Sequence, residues 1–227
     1  MEGSGYDKRV FHYFLYNLFP IVVVLALILH SCTYTEKVRD GATAYEVKQY
    51  SVAVKMLQKE YKKAKTRIEK GKIALKLADS YRELNQSELS INWYQTAYDN
   101  NAGYDALKEF AYALKKAERY KEARQAFKDL GIEIGSPYEY RREIRACEVA
   151  EVWKKEKRRA YSVDLTDFNS GYADYSPMLY KDQQLIITSD RKGSTGDDTY
   201  NWTGNSFSDL FIVDLTDNTV NQFDKML

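Results

Sequence analysis

Few residues of this chain combine the type and the spacing that covalent or metal chemistry needs. Two cysteines, Cys32 and Cys147, are too few for a disulfide framework. Both histidines, His12 and His30, fall inside an apolar amino-terminal segment, so the rest of the chain has no imidazole for metal binding or proton transfer. Asp197 and Asp198 beside Tyr200 come nearest to an acid–base pair. They stand in a Gly/Ser/Thr-rich stretch with no His or Cys to orient a nucleophile and nothing to shift a carboxylate's pKa, which is the composition of a solvated loop. The same aspartates offer oxygen ligands to calcium, yet the regular spacing of a calcium loop is absent. No catalytic residue, metal site or cofactor is expected.

Cys32 differs because of what precedes it. Lys8 and Arg9 lead into an apolar stretch from Tyr13 to Leu29, interrupted by Pro20, in the order of a secretory signal. The stretch ends in Leu29-His30-Ser31-Cys32, which resembles a bacterial lipobox: an aliphatic residue at −3, a small one at −1, then the cysteine that receives lipid. His30 stands where that motif usually has a small residue. Residues 1–31 are expected to be a lipoprotein signal peptide and Cys32 the lipidation site, with acyl chains contributing about 0.8 kcal/mol per buried methylene. The alternative is an uncleaved membrane helix, for which the 17 residues from Tyr13 to Leu29 are a minimal span.

The elements that follow fall into two blocks. Net charge is +1 overall, but Thr33–Ala160 carries 28 Lys+Arg against 20 Asp+Glu, whereas Tyr161–Leu227 carries 4 against 11. Such a reversal marks two domains with different surfaces, and the basic block shows no motif that reads nucleic acid. Residues 32–159 have the Ala, Lys, Glu, Leu and Tyr content of amphipathic helices. Tyr50, Ala53 and Leu57 align with Ser87, Ser90, Tyr94 and Ala97, and these with Tyr120, Ala123, Phe127 and Leu130, at offsets of 37 and 33 residues. Gly41, Ala78 with Tyr81, and Ala111 with Leu114 supply the matching positions of the preceding helices. This pattern resembles the tetratricopeptide repeat, with its best copies at Ile73–Ala97 and Leu107–Leu130 and tight turns at Leu84-Asn85 and Lys116–Arg119. A further helix, Tyr138–Lys157, is expected to cap the stack with Ile144, Cys147, Ala150 and Trp153 on one packed face. Cys147 then reads as a small buried hydrophobe, and Tyr81, Tyr94, Tyr98 and Tyr104 as inter-helix packing.

Residues 160–227 change to short alternating runs separated by Gly, Asn, Asp and Ser. Strands are expected near Tyr161–Leu165, Pro177–Tyr180, Gln184–Ser189, Asp209–Leu215 and Val220–Phe223, with a long polar loop from Lys192 to Ser208. Asp174-Tyr175-Ser176-Pro177, Leu185–Arg191 and Asp209–Val213 resemble, in that order, a TolB-type β-propeller repeat, with Asp182-Gln183-Gln184 in place of the usual Asp-Gly turn. Asp174 and Arg191 can tie loop to strand. A propeller closes with four or more blades, so either the native polypeptide is expected to continue beyond this chain or the open blade is held by partners.

The expected fold class is thus α + β in separate domains, a tetratricopeptide-like α-solenoid followed by the first part of a β-propeller. Lipobox, helical repeats and TolB-type repeats in this order resemble the PorE-like outer-membrane lipoproteins of the Bacteroidetes type IX secretion system. The resemblance implies a non-enzymatic scaffold, lipid-anchored in the outer membrane. Its implied partners are outer-membrane and periplasmic proteins of a secretion or gliding complex, such as a PorP-like barrel, and not nucleic acid. Peptidoglycan contact would come only through an OmpA-like domain outside this chain. Thr33-Tyr34-Thr35-Glu36 lacks the acidic cluster that sends lipoproteins to the cell surface, so a periplasm-facing position is expected. The competing readings are an accessory propeller of an envelope peptidase and a solute-binding envelope lipoprotein.

Overall fold

The structure is a computed structural model that describes residues 38–156, 162–196 and 198–223, all within one packed unit. The signal segment and Cys32 lie outside the described residues. Seven described helices come first: α1 (Gly41–Glu46), α2 (Tyr50–Lys63), α3 (Arg67–Glu83), α4 (Ser87–Asp99), α5 (Tyr104–Lys116), α6 (Tyr120–Glu133) and α7 (Arg141–Lys155). Each packs chiefly against its neighbours in sequence, a helical-repeat-like arrangement.

Capping and turn chemistry fix the helix boundaries. Asp40 accepts from the Thr43 amide at 2.7 Å at the start of α1, and Thr66 accepts from Glu69 at the start of α3. Five links turn through a left-handed residue: Lys48 (φ 60°), Asn85 (56°), Asn101 (62°), Glu118 (59°) and Gly135 (70°). After each, the next amide reaches back to a carbonyl five residues earlier, as Gln49 N–H to Ala44, Gln86 to Tyr81 and Arg119 to Leu114. These bonds are Schellman closures, which satisfy carbonyls that the helix end would leave bare. Lys48, Asn85 and Glu118 stand 37 and 33 residues apart, so the sequence repeat and the turn repeat share one period.

Packing follows the same period. Leu57, Tyr94 and Phe127 are fully buried at one repeat position, and Ala53, Ser90 and Ala123 at another. A β-carbon on Gly41 would lie 2.5 Å from Leu57 Cγ, so α1 approaches α2 more closely than any side chain allows. Cys147 of α7 is buried as expected, but Trp153 is 61% exposed. At about 100° per residue, six residues turn Trp153 roughly 120° away from the Cys147 direction, which takes it off the packed face.

The second block is a small antiparallel sheet. Strands β1 (Asp174–Lys181), β2 (Gln184–Ser189), β5 (Asp209–Asp214) and β6 (Val220–Gln222) lie in the order β1-β2-β5-β6, and β3 (Thr199–Tyr200) pairs with β4 (Asn205–Ser206). Ile187, Phe211 and Val213 form its buried face. The strand expected at Tyr161–Leu165 is not formed over Ser162–Thr166: Val163 and Leu165 are 88% and 89% exposed and pair with no edge among the described residues. The turn at Asp182-Gln183 has positive φ at Gln183 alone, unlike the mirror-image turn that Asp-Gly favours. The polar loop from Lys192 is broken by the β3–β4 ladder.

Arg191 donates to Asp174 at 2.7 Å, as the residue types suggested, and Ser189 and Ser170 add bonds to the same carboxylate. Burial pushes the Asp174 pKa up, but these donors outweigh it and hold the carboxyl well below its ordinary range.

The two blocks touch through the β3–β4 turn. Ser51 at the start of α2 donates its amide to Trp202 O (3.1 Å) and its hydroxyl to Asn201 O (2.8 Å). Trp202 meets Tyr50 edge to face, 4.9 Å between ring centres. Among the described residues no helix is long and apolar enough to cross a membrane.

Candidate functional site

The polar centre of the helical array is Asp79 on α3. Tyr94 of α4 donates to its Oδ1 at 2.6 Å and Tyr45 of α1 to its Oδ2 at 3.2 Å, while Arg82 stands 3.5 Å away. Burial, reinforced by the Asp79 charge, raises Tyr94 far above its ordinary pKa and pushes Tyr45 up to about 12. Both hydroxyls therefore keep their protons at neutral pH and serve as fixed donors. This anchors the α3 turn that carries Arg82, which extends to Glu109 of α5 (2.9 Å) and Glu83 (3.3 Å).

Beyond Arg82 lies a cleft of about 250 Å³ between the α3–α4 turn and α5. Ser87 and Ser90 from the first turn of α4 form one wall; Glu109, Tyr112, Ala113 and Lys116 form the other. Both charge signs line it. Arg82 and Glu109 of the lining pair with each other, while Lys116 makes no ion pair among the described residues and donates to Asn85 Oδ1 at 3.5 Å. Most of its accessible lining is apolar, with the charged groups of Arg82, Glu109 and Lys116 contributing little of it, and it holds no nucleophile–base pair.

The residues singled out by sequence have other surroundings. Cys32 and Asp197 lie outside the described residues. Asp198 precedes the short β3 strand, and the Tyr200 ring packs on Phe207 at 5.4 Å. Cys147 is a free thiol whose pKa burial raises, which suppresses its reactivity. The tyrosine set divides: Tyr81 and Tyr94 are buried, whereas Tyr104 is 52% exposed. Among the described residues no group of three His, Cys, Asp or Glu side chains could hold a metal.

Sequence reading did not single out Asp79, Arg82 or Glu109, because each is an ordinary charged residue of a helix, and it named Lys116 only as the start of a turn. One signal was available: the position held by Ala53 and Ala123 is Ser90 in the middle copy.

No protein-family model matches the chain, and no curated protein matches its sequence.

Proposed function

We propose that this chain is a non-enzymatic envelope lipoprotein, anchored through lipid on Cys32 at the periplasmic side of the outer membrane, whose helical repeats bind protein components of a secretion or gliding complex. The observation that carries the reading is the stack of paired helices with a shared turn and packing period, which leaves a mostly apolar cleft between two successive pairs. Stacks of this kind offer extended surfaces to peptides and partner proteins. The finer fold reading is a tetratricopeptide-like solenoid followed by a TolB-type propeller blade. Support for the solenoid comes from the small residues at Gly41, Ala78 and Ala111. Support for the blade comes from its four antiparallel strands and the Asp174–Arg191 tie.

Mass spectrometry of the mature amino terminus tests the anchor: acylated Cys32 is expected, and an unmodified chain beginning at Met1 overturns it. Crosslinking in intact cells tests the scaffold, with outer-membrane and periplasmic proteins as the expected products. Crosslinks to cytoplasmic proteins alone would sink that reading.

A further inference from the structure

The links of the helical stack lie on two opposite edges. Gly41 donates its amide to Glu60 at 2.8 Å and Arg67 its side chain to Asp99 O at 2.9 Å, so the starts of α1 and α3 stand beside the ends of α2 and α4. The chain enters the stack on this edge, where Val38 packs on the core cluster of the first repeat. Cys32 is six residues earlier, a stretch that spans at most about 22 Å. The sheet meets the stack at the other edge, through Ser51 at the start of α2. Arg119 and Lys154 on that other edge are held in ion pairs by Glu88, Glu122 and Glu118.

The entry edge has a different charge pattern. Arg39, Lys62, Lys63, Lys65 and Arg67 are all exposed, and none of them makes an ion pair among the described residues. The carboxylates nearest in sequence, Asp40, Glu60 and Glu69, accept from the amides of Thr43, Gly41 and Lys65. The helix dipole favours Lys62 and Lys63 at the end of α2, but it disfavours Arg67 in the first turn of α3 and does not call for Lys65 in the link. Ile68 beside them is 60% exposed. Cations around an exposed aliphatic side chain are the residue types that settle on an anionic lipid surface. Farther along the same edge Asp99, Asp105 and Glu133 reverse the sign, which confines such a contact to the first repeat. We propose that the α2–α3 link, from Lys62 to Ile68, rests on the phosphate headgroups of an anionic lipid surface, an inference that depends on the chain being anchored at Cys32. The anchor keeps the patch within reach of the membrane, and the cations fix which edge of the stack faces it. The sheet and the turns at Lys48, Asn85 and Glu118 then point away from the lipid.

The test places a fluorophore on Ile68→Cys or on Lys121→Cys, at the opposite edge, in the full chain reconstituted on vesicles that carry a headgroup-depth nitroxide quencher. The parent, labelled in parallel, supplies the background from Cys32 and Cys147. On vesicles of phosphatidylglycerol and phosphatidylcholine the Ile68 probe is expected to be quenched about threefold more than the Lys121 probe. The difference should shrink to less than half on phosphatidylcholine alone, in about 1 M salt, and in the variant Lys62→Gln/Lys63→Gln/Lys65→Gln. These lysines are exposed, so that variant should melt at the parent's temperature. Equal quenching of the two probes, or a difference that persists on phosphatidylcholine or in the lysine variant, would overturn the proposal and leave the patch to an acidic partner protein. Chain that sediments with the vesicles while both probes are quenched equally removes this contact alone. Chain that does not sediment with them removes the membrane attachment and this contact together.

Discussion

Tyr94 and Asp79, fifteen residues apart on consecutive helices, are joined by a 2.6 Å bond from a fully buried hydroxyl to a carboxylate. Bonds to charged groups contribute about 1.5–3 kcal/mol, so Tyr94→Phe should destabilise the array by about that amount in urea denaturation. Tyr45 shares the same carboxylate from α1. Its pKa is raised from 10.0 to about 12, so the unfolded chain releases this proton first. The stability it contributes is complete below pH 10 and is lost as pH rises from 10 toward 12. Tyr45→Phe should flatten that alkaline decline, and an unaltered urea midpoint profile would contradict the assignment.

Asp174 has the opposite sign. Its folded pKa lies below the ordinary 3.8, so the contribution is complete above about pH 4 and falls away as pH drops below that value. Asp174→Asn should lower sheet stability near neutral pH by about 3 kcal/mol, since Arg191 would keep its charge with one partner gone. The variant should also lose part of the parent's acid sensitivity, the remainder resting on Asp209 and Asp214 of β5, whose carboxyls are likewise held below their ordinary range, read as amide exchange in β2 between pH 5 and pH 3.

Lys48 adopts φ 60° with no glycine to relieve the left-handed strain. Such strain costs about 1–2 kcal/mol, of which glycine's extra unfolded-state entropy returns about 0.5–1. Lys48→Gly should therefore stabilise the chain by about 0.5 kcal/mol, and Lys48→Val should destabilise it by about 1–2 kcal/mol. Calorimetric midpoints moving in the same direction for both variants would contradict this account of the turn.

Trp202→Ala removes the edge-to-face contact with Tyr50. Aromatic pairs of this geometry contribute about 0.5–1.5 kcal/mol beyond their burial. Amide exchange should accelerate in the β3–β4 turn and at the start of α2, while α5 and α6 keep their protection. Unchanged exchange at Ser51 would show that the contact carries no weight.

The helical period was legible because close packing admits few substitutes: Leu57, Tyr94 and Phe127 recur where one large side chain fills each layer, and Lys48, Asn85 and Glu118 mark turns of equal length. The sheet was legible in β2 and β5, whose apolar runs pair with each other along their full length. It was not legible at Val163 and Leu165, where alternation alone cannot supply a neighbouring strand. Trp153 was misplaced because an apolar residue near a helix end was assigned to the packed face without following the helical angle. The cleft escaped sequence reading for a different reason. Arg82, Glu109 and Lys116 acquire meaning only once α3 and α5 bring them together, and only the Ala-to-Ser change at Ser90 left a trace in the sequence.

Ser51 and Asn201 are separated by 150 positions along the chain. Repeat stacks assemble from neighbour to neighbour, so the helices can form without waiting for distant segments, whereas the junction at Trp202 must draw a long stretch of backbone into a closed circuit. It should therefore be among the last contacts to form and the first to open. While it is closed, the first helix pair is held from both directions, by α3 and by the sheet. Pulling on the amino terminus would then load the β3–β4 turn before it loads the middle of the stack.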